Sequence, residues 1–217
     1  MAQDLRLAPK HYRQRPATKD DAQALTEVFY KSFNAKFWSY TFPDTPALRQ
    51  WFEKVWHMGL DNPTDRTFVV EDTEQDGRMV AFSRWVMPQE DGNIDRSPSW
   101  PELTANECPD MDVANAFFGG MEASRHEVMG KRPHYMLELL GTHEDYQKQG
   151  IASSLIKWGT DQADIDGLET YLDASEIGQP FYEKRHDFSS RRVIDLPDRP
   201  EYGSFTYTGM VRPPQKK

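Results

Sequence analysis

Between His134 and Asp164 the hydrophobic period of the chain changes, and that change narrows the folds open to it. Tyr135 to Leu140 is a short apolar run holding one acid, Glu138, and reads as a buried strand. Gly141 to Gln149 is polar and contains turn-forming residues. Gly150 to Ala163 repeats apolar residues at Ile151, Leu155, Ile156 and Trp158, which is the spacing of an amphipathic helix. A strand thus feeds a glycine-bearing loop, and the loop opens a helix. The first turn of a helix leaves N–H groups without partners, and the macrodipole makes that end positive. A phosphate or pyrophosphate can rest there on backbone donors. Only small residues let it come close. Gly150 and Ala152 fit, with Ser153 and Ser154 next, and Gln147, Lys148 and Gln149 add side-chain donors.

The chain has 217 residues, a length that favours one domain, and its 12% aromatic content, with six Trp and twelve Phe, is material for a core. A net charge of −9 argues against nucleic acid as a bulk electrostatic partner and is compatible with a cationic or amine substrate. Cys108 is the only cysteine, so no intrachain disulfide forms. Met1 to Arg15 is polar and lacks the apolar centre of a signal peptide, and no run approaches a membrane span. The expectation is a soluble cytoplasmic protein, monomer or homodimer, with no membrane partner. His143-Glu144-Asp145 is rich in ligand types, but adjacent residues rarely point at one ion, and no metal is assigned.

In chain order, residues 1–11 read as a surface tail and 12–212 as the domain. Tyr12 to Ala17 suits a first strand, and Thr18 with Asp20 and Asp21 marks a helix start before Ala24, Leu25, Val28 and Phe29. Phe33 to Phe42 is densely aromatic, suited either to capping the core or to walling a pocket. Ala47 to Leu60 reads as a second helix ended by Gly59 and Pro63. Thr67 to Val70 and Met79 to Phe82 form a hairpin turning at Asp76-Gly77. Pro88 to Pro109 is a proline-rich acidic insertion, either a lid over a site or a solvated loop. Met111 to Met129 reads as a helix interrupted at Gly119-Gly120, and Thr170 to Leu172, Arg192 to Leu196 and Ser204 to Val211 as strands.

Two segments carry a resemblance. Gln147-Lys148-Gln149-Gly150-Ile151-Ala152 matches a signature of Gln or Arg, two residues, Gly, one residue, then Gly or Ala. It follows Leu137-Glu138-Leu139-Leu140-Gly141-Thr142, with Glu144 where a loop proline is common. Downstream, Ala174-Ser175, Gly178 and Phe181-Tyr182-Glu183-Lys184 lead to Phe188, with Asp187 in place of the usual Gly and one residue more than usual. In these segments the chain resembles the GCN5-related N-acetyltransferase (GNAT) family. The resemblance implies an α/β fold: one domain with a mixed central sheet of about seven strands flanked by helices. It also implies acetyl-CoA as cosubstrate, held by Leu140, Gly141, Thr142, Gln147, Lys148, Gln149, Gly150, Ile151, Ala152, Ser153, Ser175 and Tyr182. The acceptor is then a primary amine of a small molecule or a protein.

Direct acetyl transfer needs the thioester held, its carbonyl polarised, the amine delivered unprotonated and the leaving thiolate protonated. The resemblance places Tyr182 near the sulfur as acid, and a backbone N–H near Leu140 at the oxyanion. Glu138 is the first choice for the base. Strand alternation puts it opposite Leu137 and Leu139, and burial near a reaction centre would raise its pKa. A satisfied buried acid paired with Arg or Tyr is the competing reading, and His134 and His143 are fallback bases. Two other functions stay open: a non-catalytic acyl-CoA-binding module, or a transferase with a different acyl donor or acceptor.

Overall fold

A computed structural model describes residues 10–92 and 100–215. The tail reading of 1–11 therefore lies outside it except at Lys10 and His11, as does the 93–99 part of the insertion. Seven strands form one sheet in the order β1-β2-β3-β4-β5-β7-β6. They are β1 (Tyr12–Pro16), β2 (Asp65–Asp72), β3 (Arg78–Val86), β4 (His134–Thr142), β5 (Glu169–Ser175), β6 (Ser189–Asp195) and β7 (Thr206–Arg212). Only β4 and β5 run parallel. The helices are α1 (Ala22–Ser32), α2 (Lys36–Thr41), α3 (Pro46–Asp61), α4 (Met111–Met129), α5 (Ile151–Asp166) and α6 (Gln179–His186). This is the α/β architecture expected from the sequence.

The sheet divides the apolar residues into two layers. On one face α1 to α4 bury Leu25, Phe29, Phe37, Phe52, Val55 and Phe117 against Phe82, Leu139 and Tyr207. On the other, Ile151, Leu155 and Ile156 of α5 pack on Ala81, Trp85 and Leu137, with Phe181 and Tyr182 of α6 alongside. The aromatic run 33–42 became α2, and Phe37, Trp38 and Phe42 are buried in the first layer. Phe37 stacks on Phe205, the residue before β7, at 4.5 Å between centroids.

Two glycine readings need correction. Gly59 does not end its helix. It lies inside α3, where a Cβ would sit 3.1 Å from Arg84 Nη1, so it lets the helix approach a buried guanidinium. Gly119-Gly120 does not interrupt α4, which is continuous. A Cβ on Gly120 would lie 2.7 Å from Ile194 Cγ2, so the residue is small for packing on β6 and costs the helix only propensity. The described part of the insertion is no free loop. Trp51 donates to the Glu102 carbonyl at 3.1 Å, and Cys108 is buried with its Sγ 3.1 Å from the Thr41 carbonyl.

Helix α5 can lie close on the sheet because of Gly159, where a Cβ would meet Trp85 Cη2 at 2.4 Å. Gly159→Ala is expected to destabilise the fold by about 1–3 kcal/mol through overpacking. Gly119→Ala, where nothing lies within 4 Å, should stabilise it by about 0.5–1 kcal/mol. Urea denaturation of the two variants checks both signs.

Candidate active site

The parallel pairing of β4 and β5 runs from His134–Glu169 to Leu137–Leu172 and then stops. Beyond it β4 continues to Thr142 and β5 to Ser175, paired only on their other sides. His143 N–H donates to the Val80 carbonyl, so alternation turns the backbone groups of Leu140 and Thr142 away from β3 and into the opening. The Thr142 hydroxyl there is buried with no partner among the described residues. The opening is part of a cavity of about 620 Å³ that reaches both faces of the sheet. On the α5 side it is lined by Gln147, Lys148, Gly150, Ile151, Ala152, Ser153 and Tyr182, with Ser175 at the end of β5. On the other it is lined by Glu138, Asp173, Trp38, Phe42, Phe117 and Tyr207.

The loop before α5 is shaped by backbone conformation. Lys148 has φ +61° and Gly150, the N-cap, φ +85°. A glycine takes that left-handed conformation at no steric cost. Ser154 N–H is bonded to the Gly150 carbonyl, which starts the helical ladder and leaves the earlier N–H groups directed along the axis. Gln147 Nε2 donates to the Thr142 carbonyl at 3.3 Å and closes the loop. Gln149 does not line the cavity; its Oε1 accepts from the Tyr12 hydroxyl at 2.7 Å. At the far end of α6, Asp187 adopts φ +57°, the helix-ending conformation that the usual Gly supplies.

Tyr182 lies on α6 beside Gly178, between Phe181 and Phe188. Its hydroxyl has no hydrogen-bond partner among the described residues, and burial pushes the phenol pKa up. The group therefore stays protonated well into the alkaline range.

Glu138 is where the alternation argument needs revising. Trp85 pairs with Leu137 and Arg84 with Leu139, so Glu138 is the extra residue of a β-bulge. The bulge puts Leu137 in the α5 layer and Leu139 in the α1–α4 layer, on opposite faces. Glu138 points with Leu139. Its Oε2 accepts from Arg84 Nε at 2.6 Å and its Oε1 from Trp100 Nε1 at 2.6 Å. The Arg84 side chain is 0% exposed and that of Glu138 10%. Arg84 also reaches the Val55 carbonyl and lies 4.6 Å from the Trp100 ring centroid. The pair thus holds Trp100, from the middle of the insertion, against the cavity.

Both fallback histidines are away from this cavity. His134 is buried at the start of β4, about 13 Å along the strand from Glu138 at ~3.3 Å per residue. Its Nδ1–H donates to the Arg132 carbonyl, and burial lowers its pKa to about 4. His143 is buried against Arg78, and burial followed by that guanidinium lowers its pKa as well. Among the described residues no group of three His, Cys, Asp or Glu side chains is placed to hold a metal.

Asp173, Arg125 and Trp100 were not singled out from the sequence. The feature that marks Glu138, an acid inside an apolar strand, is present at Asp173 too, within Tyr171-Leu172-Asp173-Ala174. Nothing local marks Arg125 or Trp100, which long-range packing brings to the wall.

The chain belongs to the acetyltransferase (GNAT) family, whose model matches residues 23–188. No curated protein matches it in sequence. Among solved structures it is similar to a histone acetyltransferase HPA2 and related acetyltransferase from Corynebacterium glutamicum, with a TM-score of 0.59 and 16% identity over 95% of this chain and 98% of that one. It is also similar to Arabidopsis thaliana NAA60, solved in complex with acetyl-CoA, with a TM-score of 0.56 and 14% identity over 92% of this chain and 97% of that one. At these identities the likeness is one of fold.

A buried ion pair should respond asymmetrically to mutation. Glu138→Ala leaves Arg84 buried without its carboxylate and is expected to cost about 3–5 kcal/mol. The double change Arg84→Met with Glu138→Leu, which removes both charges, should cost less than the single one. Chemical denaturation of the three proteins is the measurement.

Proposed function

We propose that this chain binds acetyl-CoA across the β4–β5 opening and transfers the acetyl group directly to a primary amine. The observation that carries the proposal is one cavity joining three elements. These are a glycine-led helix N-terminus, two strands that have stopped pairing with each other, and a tyrosine hydroxyl without a partner among the described residues. The family uses acetyl-CoA, and the site suits it on its own terms. Positive-φ Lys148 and Gly150 admit a pyrophosphate to the N–H groups of Ile151, Ala152 and Ser153. The Leu140 and Thr142 backbone, with the unpartnered Thr142 hydroxyl, offers polar groups along the opening to the amide-bearing arm.

The roles divide by position. A backbone N–H at Leu140 polarises the thioester carbonyl. Tyr182, on the α5 side of the opening, gives its proton to the leaving thiolate. The amine enters from the α1–α4 side, between aromatic side chains, where Glu138 and Asp173 supply the carboxylates. The acceptor is a small molecule or an exposed protein amine. Among the described residues no helix is long and apolar enough to cross a membrane.

Two measurements test this. Acetyl-CoA should raise the melting temperature by mass action. Gly150→Trp, which puts a bulky side chain at a cavity-lining position and cannot take φ +85° without strain, should abolish that rise. A full rise in the variant would place the cofactor elsewhere. Tyr182→Phe should keep the acetyl-CoA rise and lower the turnover number by about 10²–10⁴-fold. Because the phenol pKa is raised, the native rate should show no alkaline loss attributable to Tyr182 near its ordinary pKa. A fully active Tyr182→Phe would remove the acid from the mechanism.

A further inference from the structure

Of the carboxylates on the acceptor side of the cavity, Glu138 and Asp173 stand on the two diverging strands, and they are in different states. Glu138 has a donor on each oxygen. Asp173 has one: the Tyr171 hydroxyl donates to Oδ1 at 2.7 Å, while Oδ2 is enclosed with no partner among the described residues. Asp173 pairs with Gly209 of β7. A Cβ on Gly209 would lie 2.5 Å from Ser124 Oγ and 2.8 Å from the Tyr171 hydroxyl, so that glycine makes room for the polar group behind Asp173. Ser175 pairs with Tyr207, which places the Tyr207 ring next to Asp173 on the same face.

We propose that Asp173 receives the proton of the acceptor amine, and that this acceptor is a small primary amine with an apolar or aromatic body. The assignment rests on the N-acetyltransfer reading and deepens it. The amine nitrogen attacks the thioester carbon and a C–N bond forms. The C–S bond breaks, the thiolate takes the Tyr182 proton, and the proton lost by nitrogen goes to Asp173.

Burial raises the Asp173 pKa to about 7, opposed by the Tyr171 hydrogen bond and the Arg125 charge. The residue is therefore a proton acceptor above neutrality and a neutral acid below it, which is the range where a general base works best. The groups around it are Tyr171 on its own strand, Arg125 and Glu122 on α4, Glu138 on β4, Tyr207 on β7 and Tyr182 on α6. Glu138 is tied to Arg84, and burial holds the phenols of Tyr171, Tyr182 and Tyr207 neutral.

The substrate class follows from the wall. Trp38, Phe42, Phe117, Phe205 and Tyr207 line the same cavity as Asp173. They favour an apolar body and a single cation over their faces. Arg125 on the same wall, without a carboxylate partner among the described residues, repels a second cation and disfavours polyamines. A peptide amine would bring backbone amides against the Phe42, Phe117 and Phe205 rings, which cannot hydrogen-bond them.

The test compares the native protein, Asp173→Asn and Glu138→Gln with phenethylamine, spermidine and a peptide bearing a free N-terminal amine. Thiol release from acetyl-CoA is followed across pH, and phenethylamine binding to the CoA-loaded protein is followed by calorimetry. Phenethylamine should give the highest kcat/KM. For the native protein log kcat/KM should climb by roughly two per pH unit below about 7 and roughly one above, since the amine and Asp173 must both lose a proton. Asp173→Asn should lose the steeper limb and about 10²-fold or more of kcat, with the acetyl-CoA melting shift kept. Glu138→Gln should keep the steeper limb. An unchanged profile in Asp173→Asn, or loss of the limb in Glu138→Gln instead, overturns the assignment of the base. Preference for spermidine or the peptide overturns the substrate class. If no amine releases thiol, the transfer reading fails, and calorimetry still decides the site. Phenethylamine binding weakened at least about tenfold by Asp173→Asn supports it, and absent binding overturns it.

Discussion

Four residue pairs join β4 to β5, from His134–Glu169 to Leu137–Leu172, and beyond them the two strands no longer pair with each other. Unpaired backbone inside a sheet is costly unless something else satisfies it. Here the loss of pairing coincides with an extra residue at Glu138, which bends β4 and increases its local twist. The bulged carboxylate is pinned by a fully buried Arg84 on the neighbouring strand. The ion pair therefore fixes where β4 turns away from β5, and the cavity follows from that divergence.

The same feature sorts the chemistry onto two sides. The α5 side offers N–H groups, small residues and one phenol, which is what an anionic, extended cosubstrate needs. The α1–α4 side offers rings and carboxylates, a setting suited to an amine. A sheet that stayed paired would have kept the two sets apart. Trp100 extends the second side from the insertion, and its indole on Glu138 ties a loop otherwise remote in sequence to the core of the site.

Close approach is the recurring packing device. Gly159 lets α5 sit against Trp85, Gly120 lets α4 sit against β6, and Gly209 clears space for the Tyr171–Ser124–Asp173 group. None of these has the positive φ that makes a glycine recognisable from turn chemistry, as it does at Gly77, Gly150 and Gly167. That is why Gly59 and Gly119-Gly120 read from sequence as breaks and proved to be helix interior.

What the sequence determined by itself was local. Period, caps and turn residues marked the hairpin at Asp76-Gly77, the helix opening at Gly150, and the order of strands and helices, because those signals arise within a few residues. The loop and helix start brought Gln147 to Ala152 to notice, the family resemblance added Leu140, Thr142, Ser175 and Tyr182, and the cavity gathers nearly all of them. Gln149 is the exception, turned away by Tyr12, which lies 137 residues distant in the chain. The tertiary structure alone decided the bulge at Glu138, its pairing with Arg84 and Trp100, and the raised pKa of Asp173. Each depends on groups that meet only when strands far apart in sequence lie side by side: a bulge is a mismatch between two strands, and burial of a carboxyl is a property of everything packed around it.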